Sequence, residues 1–283
     1  MLPLPTFHLE RPRTVEEACS LLAQGGRPLA GGTDLLPNMK NGLAEPPLLV
    51  ALWDIEELHQ PLGAMARLRD VGDTVEALRA CTRSVATPTL QRMATLGGNL
   101  LLDSRCRWFN QSRFWREALP QGPCLKCEGG THCYVAPKGT GCYAAHSADT
   151  VPVLWLLDAE VELASTRGRR VLPVDRLDER AADELLVRVR LPSNLPRVVF
   201  RKLRARAAID YPQLLTAVRE DGAAVFSAIG PKPIRVRLPL DAKGAGDAAY
   251  ATCFPLDTHI APSTWRKHMV RVEARRAVQS LVG

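Results

Sequence analysis

Five of the eight cysteines, Cys106, Cys124, Cys127, Cys133 and Cys142, fall within 37 residues, and that segment limits most tightly what the chain can fold into. Thiolate sulfur is a soft, charge-donating ligand. Several thiols gathered in a reducing compartment therefore favour zinc or an iron-sulfur cluster over a hard cation. Counted from Cys106, the steps are 18 to Cys124, 3 to Cys127, 6 to Cys133 and 9 to Cys142, with one C-x-x-C pair. Structural zinc sites present two close ligand pairs on tight knuckles, so these loose intervals suit a cluster wrapped by a long loop, with zinc left open. A 4Fe-4S cube takes four thiolates, and Cys127 is taken as the surplus thiol. Gly129, Gly130, Gly139 and Gly141 would let the backbone wrap closely and offer amides to cluster sulfur. His132 and His146 read as hydrogen-bonding neighbours or plain loop residues ahead of ligands. Cys19, Cys81 and Cys253 sit in core-like patterns as small hydrophobes.

The rest of the chain folds without needing metal. At 283 residues, with 46% hydrophobic and 24% charged residues, it can bury a sizeable core in two or three subdomains. The longest apolar run, Val151 to Leu157, is far shorter than a bilayer span, and Met1 to Glu10 lacks an export signal. The expectation is a cytoplasmic protein with reduced thiols and no membrane span. A net charge of +7 comes from scattered arginines not interleaved with aromatics, which argues against a nucleic-acid surface and suits docking to an acidic redox partner or subunit.

Thr14-Val15-Glu16-Glu17 is a capping-box pattern opening a helix over 14–24. Pro28 to Ala30 reads as a short strand running into Gly31-Gly32-Thr33-Asp34, followed by a helix over 35–40. Leu48 to Leu52 reads as a buried strand and Val75 to Val85 as a helix. Val151 to Leu157 reads as a buried helix, and a hairpin turns at Arg167-Gly168. Strand-like runs at 185–191, 198–203, 214–218 and 224–229 imply a mainly antiparallel C-terminal sheet, and 264–281 is helical in pattern. A boundary is expected near residue 175, with the first domain (1–175) divided at about residue 55 and the second spanning 176–283.

Gly31-Gly32 lets backbone amides approach an anion, and the helix start that follows adds its positive dipole end. Thr95-Leu96-Gly97-Gly98-Asn99 is a second turn of this kind. Each alone is ordinary strand-to-helix punctuation. Together, with Thr33, Asp34, Thr95 and Asn99 beside them, they suit a long dinucleotide, but not in G-x-G-x-x-G spacing. No hydrolytic Ser-His-Asp or Cys-His arrangement is present. No catalytic residue is assigned, and cofactors are expected to carry the chemistry.

Ala30-Gly31-Gly32-Thr33-Asp34-Leu35-Leu36, Ala86-Thr87-Pro88 and Thr95-Leu96-Gly97-Gly98-Asn99-Leu100 resemble the FAD-binding subunit of the molybdenum hydroxylases, the xanthine dehydrogenase and carbon monoxide dehydrogenase medium-subunit family. The resemblance implies an α+β fold. It would comprise a FAD-binding domain of two α/β subdomains and a smaller C-terminal domain of three antiparallel strands and a helix. It also implies FAD held by Leu29, Ala30, Gly31, Gly32, Thr33, Asp34 and Leu35, by Thr95, Gly97, Gly98 and Asn99, by Ser147 and Asp149 of a Ser-x-Asp, and by Asp210 and Tyr211. Asp103-Ser104-Arg105-Cys106, Trp115-Arg116, Cys124-Leu125-Lys126 and Cys142-Tyr143-Ala144-Ala145 resemble the beta subunit of 4-hydroxybenzoyl-CoA reductase, whose inserted loop, here about 103–146, holds a 4Fe-4S cluster. Carried over, the ligands are Cys106, Cys124, Cys133 and Cys142. The implied partners are a molybdenum cofactor-binding large subunit, a 2Fe-2S small subunit and a carrier such as ferredoxin. The stretches Gly63 to Thr87 and Pro231 to Pro255 look shortened relative to that family. A flavin subunit of an aldehyde or purine-type hydroxylase and a zinc-stabilised binding module are the alternatives.

Overall fold

Two kinds of sheet form because two kinds of sequence pattern are present: short apolar strands separated by helices, and long strands joined by tight turns. The computed structural model describes residues 3–207 and 209–283; Met1, Leu2 and Ala208 lie outside that description. The first unit is a parallel sheet of β1 (His8–Glu10), β3 (Leu48–Ala51) and β2 (Arg27–Leu29), in that order. Helix α1 (Val15–Ala23) starts where Thr14 Oγ1 accepts from the Glu17 amide at 3.1 Å. The Glu17 carboxylate reaches back to the Arg13 amide, one residue before the position a capping box uses. The six-residue helix α2 (Leu35–Lys40) crosses from β2 to β3. It is held by a small core of Met39, Leu29 and Leu49.

The middle unit opens with four short helices, α3 (Leu68–Thr74), α4 (Glu76–Arg83), α5 (Pro88–Gln91) and α6 (Leu96–Leu100). The cysteine segment follows, largely irregular apart from α7 (Arg113–Glu117). It is succeeded by α8 (Val151–Leu156) and the strands β4 (Glu160–Ser165), β5 (Gly168–Pro173) and β6 (Leu185–Arg190). The strand at 185–190, read in the sequence as part of the C-terminal sheet, pairs antiparallel with β4, giving the order β5-β4-β6. The expected boundary at 175 therefore falls inside this sheet, and the chain leaves it only after Arg190. The sequence pattern misassigns β6 because buried strands of neighbouring sheets carry the same apolar run, and only pairing decides which sheet takes them.

The last unit is a four-stranded antiparallel sheet, not three-stranded. Its order is β10 (Ile234–Arg237), β9 (Ala223–Ser227), β8 (Leu214–Arg219), β7 (Val198–Leu203). Both faces of its central strands are buried. Ala217, Ala223 and Val225 join the large core shared with α8. Leu214, Val218, Ala224 and Phe226 face a second core built by α9 (Ala242–Thr252) and α10 (Ser263–Val282). Alternation along one strand thus welds the C-terminal sheet to the rest of the chain.

A charged network joins the first two units at the surface. Glu162 of β4 is nearly buried among Arg190 (2.7 Å), Arg188 (3.0 Å) and Arg169 (3.3 Å). Arg169 also grips Glu57 at 2.5 Å and Glu16 of α1 at 3.0 Å. Burial alone would raise the Glu162 carboxyl, but hydrogen bonding to Arg190 and the charges of its neighbours outweigh this and hold it below the usual carboxylate range. A depressed folded-state pKa contributes stability above the unfolded value of 4.5 that is lost as pH falls through and below it. Glu162→Gln should cost about 2 kcal/mol of unfolding free energy at pH 7, and the deficit should shrink on acidification below the ordinary carboxylate range. Urea midpoints at pH 7 and pH 4 check this, and equal wild-type and variant midpoints at pH 7 would refute it.

Candidate functional site

The first glycine turn leaves β2 with its backbone pressed against Met93 and Ala94, just ahead of the second. A Cβ on Gly31 would lie 1.8 Å from the Met93 carbonyl oxygen, so only glycine permits the approach. Gly32 has φ +67°, the left-handed region that glycine occupies without strain. Among the described residues, the amides of Gly32, Thr33 and Asp34 donate to no protein acceptor, whereas Leu36 and Asn38 begin the hydrogen bonding of α2. The turn thus presents a row of free donors at a helix start, flanked by half-buried Ala30 and Leu35 and backed by buried Leu29. Trp53 closes one side by donating its indole N–H to the Ala30 carbonyl at 2.9 Å.

The second turn is different. Its Gly97 amide donates to the Ala64 carbonyl, the Gly98 amide to Thr95 Oγ1 and the Asn99 amide to the Thr95 carbonyl. The Asn99 side-chain oxygen accepts from both the amide (3.1 Å) and the hydroxyl (2.7 Å) of Thr150. Thr95, Gly97 and Asn99 are buried, and Gly98 is the exposed member. This turn is internally satisfied, and the two residues before it, Met93 and Ala94, back the first one.

Asp149 of the Ser-x-Asp lies at the start of α8, deeply buried and 2.7 Å from the equally buried ammonium of Lys202 on β7. Burial pushes the Asp149 carboxyl up, and the Lys202 charge pulls against it. Ser84, which follows α4, donates its hydroxyl to Asp149 at 3.2 Å and accepts Lys202 and Arg204 on its carbonyl, each at 3.1 Å. Ser147 is half-buried two residues before Asp149. Asp210 accepts from its neighbour Tyr211's amide at 2.9 Å and pairs with Arg206 at 3.2 Å; Tyr211 itself is exposed. Ser84 and Lys202 were not singled out in the sequence, because a serine after a helix and a lysine in an alternating strand carry no local signal.

In the cysteine segment, Cys106, Cys124, Cys133 and Cys142 line one small cavity whose other walls include Trp108, Phe109, Leu125 and Tyr134, and Cys127 is not part of its lining. Cys127 instead lies 3.8 Å from Cys124, sulfur to sulfur. Burial raises the Cys106 thiol, and burial together with the Cys124 contact raises Cys127. All eight cysteines are unpaired. Among the described residues, no group of three or more His, Cys, Asp or Glu side chains is set to hold a single metal ion. The four thiols surround a shared space without converging on one point. His132 packs edge-on to Tyr134, and half-buried His146 places Nδ1 3.2 Å from Ser227 Oγ; neither lines the cavity.

Asp34 occupies the N-cap position of α2, but its carboxylate caps nothing. It faces Arg105, the residue before Cys106, in a two-pronged ion pair at 2.5 and 2.9 Å. Among the described residues, no helix is long and apolar enough to cross a membrane.

The Asp149–Lys202 pair yields a direct expectation. Lys202→Met should destabilise the fold by roughly 3–5 kcal/mol, because it strands a buried carboxylate, and adding Asp149→Asn should recover part of that loss. Chemical denaturation of the two single variants and the double variant gives the coupling. Additive losses would show that the pair does not act as a unit.

Residues 5–194 match the family described as FAD binding domain in molybdopterin dehydrogenase. The aldehyde oxidoreductase FAD-binding subunit PaoB of Escherichia coli (strain K12) is 28% identical over 293 residues, covering 89% of this chain and 92% of that protein. The 6-hydroxypseudooxynicotine dehydrogenase complex subunit alpha of Paenarthrobacter nicotinovorans is 28% identical over 290 residues, 98% of this chain and 85% of that protein. In fold, the chain is similar to a chain of quinoline 2-oxidoreductase from Pseudomonas putida 86, with a TM-score of 0.74 at 20% identity, covering 99% of this chain and 98% of that chain. A glycine turn with free amides stands beside an internally satisfied one in a mixed α/β architecture matched over these residues, and the protein belongs to the FAD-binding medium-subunit family of the molybdenum hydroxylases.

Proposed function

We propose that the chain is an electron-transfer subunit carrying both FAD and a 4Fe-4S cluster within a complex that reductively removes a hydroxyl from an aryl-CoA, as in 4-hydroxybenzoyl-CoA reductase. The observation that carries the cluster is the common cavity of Cys106, Cys124, Cys133 and Cys142, four soft donors drawn together from a segment with little regular structure. A cube spreads its ligands over four irons, so thiols that ring a space suit it better than a single zinc ion, which needs convergence. When bound, the two groups supply the redox chemistry. The protein's part is to bind and orient them: Gly32, Thr33 and Asp34 offer amides to the diphosphate, and Trp108, Phe109 and Tyr134 wall the space between the thiols, of which Cys142 is exposed.

Supporting the aryl-CoA reading are the Trp115-Arg116, Cys124-Leu125-Lys126 and Cys142-Tyr143-Ala144-Ala145 runs. In this reading the partners are a molybdenum cofactor-binding large subunit and a 2Fe-2S small subunit in a reducing cytoplasm. Electrons enter from a ferredoxin-like carrier, for which the cysteine segment offers exposed apolar and basic side chains, among them Phe114, Trp115 and Arg113. A second reading, a flavin subunit serving aldehyde oxidation with electrons flowing outward, is favoured by the similarity to the aldehyde oxidoreductase subunit over 89% of the chain. Assays of the purified complex with 4-hydroxybenzoyl-CoA plus a low-potential donor, and with aromatic aldehydes plus an acceptor, separate the two.

Anaerobically purified protein should contain FAD with about four iron and about four acid-labile sulfide per chain. Colourless protein holding zinc alone would end the redox reading in favour of a binding module. Cys127→Ser should retain iron and Cys124→Ser should lose it; the reverse pattern would exchange their roles. For the flavin turn, Gly31→Ala is uninformative because the new methyl meets the Met93 carbonyl whether or not flavin binds. At Gly98 the nearest atom to an added Cβ is Thr95 Oγ1 at 3.1 Å, so the fold should tolerate alanine. In this reading Gly98→Ala should weaken FAD binding about tenfold, about 1.4 kcal/mol, with an unchanged melting temperature. Wild-type affinity would remove Gly98 from the site.

A further inference from the structure

Helix α2 is held at both ends by the cysteine segment. At its start, the Arg105 guanidinium, whose side chain is only 9% exposed, grips Asp34 with two nitrogens. At its end, Arg116 Nη2 reaches the Gly42 carbonyl at 3.4 Å while Nη1 of the same side chain gathers the carbonyls of Phe109 and Gln111 at 3.2 and 2.7 Å. Lys126, between Cys124 and Cys127, returns to Asp103 at 2.6 Å and to the Ser104 carbonyl, so the Cys124 strand of the segment is tied to the residues that carry Arg105. A six-residue helix has little stability of its own, and the conformation of its first turn depends on what holds it. Asn38 Nδ2, at 2.9 Å from Asp34, is the carboxylate's other side-chain partner, and it belongs to α2 itself. Among the described residues, the Asp34 carboxylate's side-chain hydrogen-bond partner from outside α2 is therefore Arg105.

Arg105 is covalently adjacent to Cys106, one of the four cavity-lining thiols. Ligation of Cys106 would fix the backbone from which Arg105 projects, and through the Asp34 fork would fix the residues whose free amides form the flavin turn. We propose that Arg105 is a positioning residue that couples metal loading of the cysteine segment to FAD binding at the Gly31–Asp34 turn. This rests on the reading of the segment as a cluster site. The coupling is reciprocal: cluster loading tightens FAD by the same factor as FAD slows loss of iron.

The test uses the full chain, purified anaerobically, with FAD removed and then titrated back by flavin fluorescence, before and after iron is stripped by a chelator. In wild type, stripping should weaken FAD about tenfold, within the range ordinary for two-site coupling. In Arg105→Met and, independently, Asp34→Asn, iron content measured chemically should stay near wild type, while FAD affinity should be the same with and without iron. Arg105→Lys, which keeps the charge but loses the fork, should restore part of the difference. An undiminished tenfold difference in both Arg105→Met and Asp34→Asn would overturn the proposal. So would a wild-type protein that holds iron yet binds FAD equally well when stripped; that result would leave the cluster reading intact. Protein that never holds iron would overturn both.

Discussion

The buried pair of Asp149 and Lys202 is the contact on which the architecture turns. Its two charges come from the start of α8 and from β7, and its hydrogen-bonding shell is completed by Ser84 at the end of α4. Three pieces of chain distant in sequence must be in place together before either charge is compensated. An unpaired buried charge is costly, so partial assemblies of these elements are disfavoured. The same pair joins the middle unit to the C-terminal sheet, whose central strands contribute to cores on both sides.

Around that junction the two glycine turns divide the work. The second turn satisfies its own amides and packs against Ala64 and Thr150, which makes it rigid. The first turn packs against Met93, two residues ahead of the second turn, and keeps its donors free. A rigid base beneath a row of unused amides is what an extended anionic coenzyme needs, since donors already aimed at the ligand lose little freedom when it binds. A single glycine pair has to choose between packing closely and presenting amides. Two adjacent turns allow both.

The cysteine segment has little regular structure and is organised by cation and aromatic contacts instead. Arg107 stacks over Trp108, which in turn packs on Tyr134 and Trp115, and Lys126 sits over Phe109. Tyr134 donates its hydroxyl to the Gly122 carbonyl and accepts the Gln121 amide. At its far end the segment is captured by the C-terminal sheet, where the His146 amide donates to Gly230 and its carbonyl accepts from Ala228. These holds bring four thiols around one cavity from positions spread over 37 residues.

Much of this was legible along the chain, because local causes leave local marks. Thr14 before an apolar-periodic run marked α1, Asp221-Gly222 marked the turn between β8 and β9, and the density of cysteines singled out their segment. α9 was not legible, since Ala-Lys-Gly-Ala-Gly-Asp-Ala-Ala has no strong period and owes its helix to packing on α10, where Gly246 clears room for Arg275. Nor was the home of β6, which depended on its partner strand. Residue types and their spacing determined which chemistry this chain can support: soft thiols, phosphate-sized glycine turns and an uncommitted basic surface. Only the tertiary structure decided which groups meet, setting Lys202 against Asp149 and Arg105 against Asp34, because a long-range ion pair is a property of two distant positions and neither position carries a sign of the other.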